Sequence, residues 1–264
     1  MLQGTEKINK NYYNEIYQSK FGSFFSLLKT LTSYDQQSKS KLNLYYVKKY
    51  LDQNKSTLSI LDYGFGRGSL LLKMPSNFKL YGCEISEYAV SNFPKIAKII
   101  GKEVKTFLPE NFESEVEEDS IDIIFCSHVL EHVPDDILIL KKFYKKIKFN
   151  GYVLINIPIN EIWDDPKHVR KYSFLKFNEI AINQGFNVVE YFETNQMDNF
   201  ILTNEILKRK KIITKVLFKS LRLFLAILPL KILNSFNSYL SKSYDAAQLI
   251  CILQKKKNGI MNNE

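Results

Sequence analysis

Residues 58–69 read Leu58-Ser59-Ile60-Leu61-Asp62-Tyr63-Gly64-Phe65-Gly66-Arg67-Gly68-Ser69, an apolar run that closes in Asp-x-Gly-x-Gly-x-Gly. Leu70-Leu71-Leu72 follows directly. This order predicts a buried strand over 58–63, a tight glycine turn, and a helix over 68–74. Glycines let the backbone bend sharply and approach a ligand, and a helix start offers free N–H groups and a positive dipole end. The loop is therefore suited to a nucleotide-like cofactor.

Spacing narrows the choice. A dinucleotide fingerprint places its third glycine at position 69, which is Ser69 here; the glycine comes one residue early, at Gly68. A second carboxylate, Glu84, ends the next apolar run, Leu80-Tyr81-Gly82-Cys83-Glu84, where it can accept hydrogen bonds from a ribose diol.

Further stretches follow in order: Ser120 to Asp135 as a strand and its end, Asn150-Gly151 to Pro158 as a turn and strand, Asp165 to Tyr172 as a loop, and Phe177 to Phe186 as a helix and glycine turn. With the glycine loop and Glu84, these resemble the class I S-adenosylmethionine-dependent methyltransferases over about residues 58–193 plus a last strand near 246–253. The stretch Asp165-Pro166-Lys167-His168-Val169-Arg170-Lys171-Tyr172 is similar to a loop in a subset found beside bacterial surface-polysaccharide genes. The resemblance implies a doubly wound α/β fold with a mostly parallel seven-stranded sheet. It also implies S-adenosyl-L-methionine as cofactor and S-adenosyl-L-homocysteine as product. Its cofactor residues map onto Asp62, Gly64, Gly66, Gly68, Glu84, Leu108 and Ser127. The usual acidic residue after the third strand is missing from Phe107-Leu108-Pro109-Glu110-Asn111-Phe112, which leaves Glu110 or Asn111 to meet the adenine and Leu108 as an apolar contact.

Alternating patterns predict strands at 58–63, 79–84, 103–107, 121–126, 152–157, 186–193 and 246–253. Helices are expected at 68–74, 86–100, 135–148 and 173–184, with another from Ser33 or Asp35 to about Asp52. The organisation is then a helical cap (1–57), an α/β domain (58–199 and 245–264), and a helical insert (200–244) before the last strand.

At 264 residues and 45% hydrophobic composition the chain can bury a large core, and disorder is excluded. No signal peptide is expected, because Glu6, Lys7 and Lys10 interrupt any apolar run; Cys83, Cys126 and Cys251 fall in predicted strands and suit reduced, buried thiols of a cytoplasmic protein. The net charge of +9 is concentrated: residues 200–244 carry nine basic side chains against Glu205 alone. A charge confined to one segment argues against a nucleic-acid partner for the main face. In the insert, Ile212, Ile213, Val216, Leu217, Leu223, Phe224, Ile227 and Leu228 recur at helical spacing. Two roles stay open for it: a cap that packs this stripe on the domain and shields the pocket, or an amphipathic surface over 205–232 that lies on the anionic inner face of a membrane.

The three histidines carry the remaining chemistry. His128 follows the fourth strand, at the sheet edge where open α/β folds hold ligands, and His168 lies in the loop after the fifth, close to Asp164 and Asp165. Either suits general-base removal of a hydroxyl proton. His128-x-x-Glu131-His132 also has a zinc-peptidase spacing, but it follows a strand and is cut by Pro134, so no metal is expected. The expected acceptor is a sugar hydroxyl in a surface polysaccharide or lipid-linked saccharide precursor, with a small lipophilic molecule second. A nicotinamide-dependent oxidoreductase and a methyltransferase-like binding module without chemistry are the readings from other classes.

Overall fold

The computed structural model describes residues 10–18, 33–50, 57–162, 165–207 and 212–255. Expectations placed on Asp52, Asp164, Lys208 to Lys211, the side chains of Asp35, Glu205, Ile212, Ile213 and Lys215, and the tail from 256 lie outside what is described.

Strands β1 (Ser59–Tyr63), β2 (Lys79–Cys83), β3 (Val104–Phe107), β4 (Ile121–Ser127), β5 (Ile147–Pro158), β6 (Phe186–Thr194) and β7 (Gln248–Lys255) form one seven-stranded sheet in the order β3-β2-β1-β4-β5-β7-β6. The β2–β1–β4–β5 pairs are parallel, and β7 runs antiparallel between β5 and β6. β4 is buried along nearly its whole length, as a central strand covered on both faces must be, whereas edge strand β6 alternates buried and open positions. Successive residues serve opposite faces. Leu61, Ile124, Val153 and Ile155 pack on one side; Ile60, Ile123, Phe125, Leu154 and Ile252 pack on the other.

Among the described residues the longer helices are α1 (10–18), α2 (Tyr34–Tyr50), α3 (Glu87–Ile99), α4 (Asp136–Lys146), α5 (Phe174–Asn183), α6 (Gln196–Leu207), α7 (Ile212–Ile227) and α8 (Leu230–Leu240). Ser86 caps α3 by accepting from Ala89 N, Asp135 caps α4 by accepting from Leu138 N, and Ser173 caps α5. Buried Ala89, Phe93 and Ala97 form the one-sided stripe that seats α3.

Three expectations are corrected. The helix over 68–74 is only a 3-10 turn, Leu71–Lys73; Met74 is extended (ψ 151) because the following Pro75 disfavours the helical region before it. The turn expected at Asn150-Gly151 is absorbed into β5, which begins at Ile147 and shifts register against β4 between Ile121 and Ile123. Of the described residues in the insert's predicted stripe, only Leu228 packs inward. Leu225, Ala226 and Leu233 are buried with Tyr34, Met197 and Ile201, while Val216, Leu217, Leu223, Phe224 and Ile227 are exposed. Lys41 Nζ fixes the end of α7 by donating to Ala226 O (2.7 Å) and Leu228 O (2.6 Å), carbonyls left open at a helix C-terminus. Among the described residues no helix is long and apolar enough to cross a membrane.

Candidate active site

β1 and β4 are neighbours, but the chain leaves β1 towards β2 and β3 and returns to β4, so the connections diverge at their carboxyl ends and open a crevice. A cavity of about 380 Å³ sits there, lined among others by Gly64, Glu84, His128 and His132 from the sheet rim and by Tyr13 and Tyr17 from α1. That volume suits a small-molecule ligand site.

On the cofactor side, the glycine loop is shaped by close contact. Gly64 has φ +81, and a Cβ there would fall 2.2 Å from Val129 Cγ2. Gly68 has φ +70, and a Cβ there would fall 1.9 Å from the Phe93 ring. Neither position admits a side chain. The loop is tied to Glu84, whose buried carboxylate accepts from Gly66 N (2.8 Å) and Ile85 N (2.8 Å). Burial pushes the Glu84 pKa up against the opposing pull of the Gly66, Ile85 and Ser86 amides. Asp62 has no such relief: burial, then the Glu84 charge, raise its pKa to about 7.

α1 closes the cavity from above. Lys10 pairs with Glu87 (2.8 Å) at the start of α3 and lies 3.7 Å from Glu110, and Asn14 Oδ1 accepts from Ser86 Oγ (2.7 Å). Burial, with Glu84 and Glu131 next, pushes the Tyr13 phenol to about 12, and burial likewise raises Tyr17. Both hydroxyls therefore stay protonated at neutral pH and serve as hydrogen-bonding walls, not bases.

On the opposite side, β4 ends in a strained turn. His128 adopts φ +55, unusual for a residue with a side chain, while its N–H donates to Asn156 O (2.8 Å). Its Nδ1 lies 3.2 Å from Glu131 Oε1, and its Nε2 is buried without a hydrogen-bond partner. For Glu131, burial works to raise the pKa, but the His128 ring 3.2 Å away, with His132, outweighs it and holds the carboxyl below its ordinary value. His132 Nδ1 lies 3.2 Å from Lys167 O, and its ring meets that of His168 edge-on at 4.7 Å.

The segment Asp165 to Tyr172 is stapled to this turn. Val169 N donates to Glu131 O (2.8 Å), Arg170 pairs with Asp136 (2.6 Å), and Tyr172 Oη donates to the other Asp136 oxygen (2.6 Å). His168 takes Glu161 as its carboxylate neighbour (Nδ1 to Oε1, 2.6 Å), and its backbone N–H donates to Asp165 O (3.0 Å).

Of the residues singled out in the sequence, Gly64, Glu84 and His128 line the cavity, as does Glu110. Gly66 stands behind Glu84 through its amide, and Gly68 supports the loop against Phe93. Asp62, Leu108 and Ser127 sit at the ends of β1, β3 and β4 without lining the cavity, and His168 stands behind His132. Tyr13 and Tyr17 were missed, and the described insert residues expected as a cap do not line the cavity.

Residues 35–191 match the methyltransferase domain family, more than half of the chain, and the protein belongs to that family. Its fold and family are thus those of the class I methyltransferases, the class whose cofactor is S-adenosyl-L-methionine. Among individual proteins, it is 29% identical over 134 residues to a trans-aconitate 2-methyltransferase of Enterobacter sp. (strain 638), covering 48% of this chain and 46% of that one. Phosphoethanolamine N-methyltransferase 2 of Haemonchus contortus, solved with S-adenosyl-L-methionine, shares the fold at TM-score 0.56 and 18% identity, over 82% of this chain and 52% of that one. A SAM-dependent methyltransferase of Archaeoglobus fulgidus matches at TM-score 0.52 and 19% identity, over 88% of this chain and all (100%) of that one. The matches to the first two thus span about half of each. The residues present fit the cofactor: Glu84 puts a buried carboxylate on the wall, and the glycine loop beside it has no side chain to obstruct a ligand.

Proposed function

We propose that the enzyme methylates a hydroxyl oxygen of a sugar or lipid-linked saccharide precursor, as a member of the polysaccharide-associated subset, with His128 as the base. The observation that carries this reading is the His128–Glu131 pair: a cavity-lining imidazole with Nε2 unpartnered and Nδ1 beside a buried carboxylate. Glu131 favours the tautomer with hydrogen on Nδ1, which leaves the Nε2 lone pair to take the acceptor proton. The bound cofactor supplies an activated methyl group; the chain's task is to align the hydroxyl, receive its proton and keep water out. Tyr13, Tyr17, Val133 and Ile139 supply the walls for this. Asp62, Gly64, Gly66, Gly68, Glu84, Leu108 and Ser127 make up the proposed cofactor set.

A small lipophilic acceptor is the second reading, favoured by the apolar run of Val129, Val133, Leu138 and Ile139 along the cavity. Mass spectrometry of nucleotide sugars, polyprenyl-linked saccharides and small apolar alcohols after incubation with labelled S-adenosyl-L-methionine separates the two. His128→Ala should lower turnover about 100-fold or more while S-adenosyl-L-homocysteine affinity stays within about twofold. Full turnover in that variant removes His128 from the mechanism.

A peripheral place at an anionic membrane fits the same acceptor. The exposed Val216, Leu217, Leu223, Phe224 and Ile227 lie near exposed Lys219, Arg222 and Lys231. Binding to anionic vesicles that weakens with salt, and is absent for neutral vesicles, is the expected result. Indifference to anionic vesicles at low salt rules this out.

A further inference from the structure

We propose that Glu131, His132 and His168 bind a divalent transition-metal ion on the wall of the acceptor cavity. One ligand atom from each lies within 4.8 Å of the others. They come from two separate loops, after β4 and after β5, that backbone and side-chain bonds clamp together. Metal bonds of about 2.0–2.2 Å put neighbouring ligand atoms roughly 3–3.5 Å apart, so rotamer-scale movement closes the cluster on an ion.

Two further observations point to a cation. The Glu131 side chain is 1% exposed and neither carboxylate oxygen has a hydrogen-bond partner. A buried carboxylate without hydrogen bonds depends on neighbouring positive groups to stay charged. His128, 3.2 Å from Oε1, addresses one oxygen and accounts for neither His132 nor His168. The second observation concerns the outer partners of the two rings. Lys167 O can only accept, so His132 Nδ1 carries the hydrogen and its Nε2 is left with a lone pair. His168 Nδ1 faces the Glu161 carboxylate at 2.6 Å, an ion-pair contact and not a hydrogen bond, with Nε2 on the other side of the ring. A carbonyl or carboxylate behind each imidazole is the usual support of a metal-bound histidine.

Two imidazoles and one carboxylate suit Mn²⁺, Fe²⁺, Co²⁺ or Zn²⁺ and not the all-oxygen preference of Mg²⁺ or Ca²⁺. Three protein ligands leave coordination positions open, and His132 lines the cavity, so an acceptor oxygen can occupy one. A hydroxyl so bound becomes more acidic and is fixed in place. This role rests on the hydroxyl acceptor proposed above; the ion site does not.

The test uses the untagged full chain stripped with chelator, titrated calorimetrically with Zn²⁺ and Mn²⁺, and with Co²⁺ followed by visible absorbance. One ion per chain is expected at low-micromolar affinity or better, with cobalt ligand-field bands. His168→Asn should weaken binding at least 100-fold and Glu161→Gln about 10-fold or more, while S-adenosyl-L-homocysteine affinity, read on the same samples, stays within about twofold and certifies the fold. No stoichiometric binding by wild type, or wild-type affinity in His168→Asn, overturns the site. Stoichiometric binding with no metal-dependent methylation of any hydroxyl acceptor overturns the acceptor role and leaves the site standing.

Discussion

The two sides of the cavity treat buried charge differently. On the glycine-loop side, Glu84 is held by the amides of Gly66 and Ile85 before any ligand arrives. On the histidine side, Glu131 and His128 Nε2 are buried without hydrogen-bond partners, and His128 sits in a strained backbone conformation. The first side is preorganised to bind; the second stores unmet polar demand that an acceptor, a proton or an ion can meet. On the function proposed above, binding falls to the β1–β2 rim and chemistry to the β4–β5 rim.

The division is sharpest at Glu84. Glu84→Ala removes a carboxylate that shapes the loop as well as the wall, and S-adenosyl-L-homocysteine affinity should fall about 100-fold or more, roughly 3 kcal/mol, by calorimetry. The His128→Ala change across the cavity should leave that affinity nearly intact. Equal losses in both variants would erase the division.

A second variant asks whether the loop is rigid. Gly68→Ala meets the Phe93 ring at 1.9 Å with φ +70, so it should cost about 2–4 kcal/mol of stability in urea unfolding. Adding Phe93→Leu should restore part of the loss, because the clash is with the ring. Wild-type stability in Gly68→Ala would mean that the loop yields freely and is not preorganised.

What the sequence made legible follows from the range of the forces involved. The strands, the glycine loop and Glu84 rest on local pattern and backbone conformation, and the seven predicted strands correspond to those observed within a few residues. The short turn at Leu71–Lys73 was missed because Pro75 acts on the residue before it while the Leu70 to Leu72 run reads as helix. The histidine side depended on long-range contacts. Glu161 meeting His168, and Arg170 and Tyr172 meeting Asp136, join segments that no local pattern links. The wall over the cavity comes from Tyr13 and Tyr17, inside the 1–57 segment expected as a helical cap, while the described insert residues do not line it. An amphipathic stripe states that a helix has an apolar face, and the exposed Leu223, Phe224 and Ile227 show that it does not state where that face points.

Asp62 is the exception within the preorganised side, and it yields the smallest and most specific effect. Burial and then the Glu84 charge raise its pKa to about 7, and no backbone amide opposes them. Its unfolded value is about 3.9, so the folded state favours the protonated carboxyl. The sign follows by linkage: the stability this group contributes is fully present below about pH 4 and is lost as pH rises towards 7. Asn cannot ionise and should keep that stability. The Asp62→Asn variant should therefore match wild type near pH 4 and exceed it by about 1–3 kcal/mol above pH 7, a Tm gain of several degrees. Calorimetric scans across that range measure it, and a gain that is flat with pH would show that Asp62 is not held neutral by its surroundings. If Asp62 also meets the cofactor, the same variant should bind S-adenosyl-L-homocysteine more weakly while being more stable. A protein that keeps a destabilising carboxylate beside its glycine loop is then keeping it for the ligand, and the cofactor side too would hold one charge in reserve.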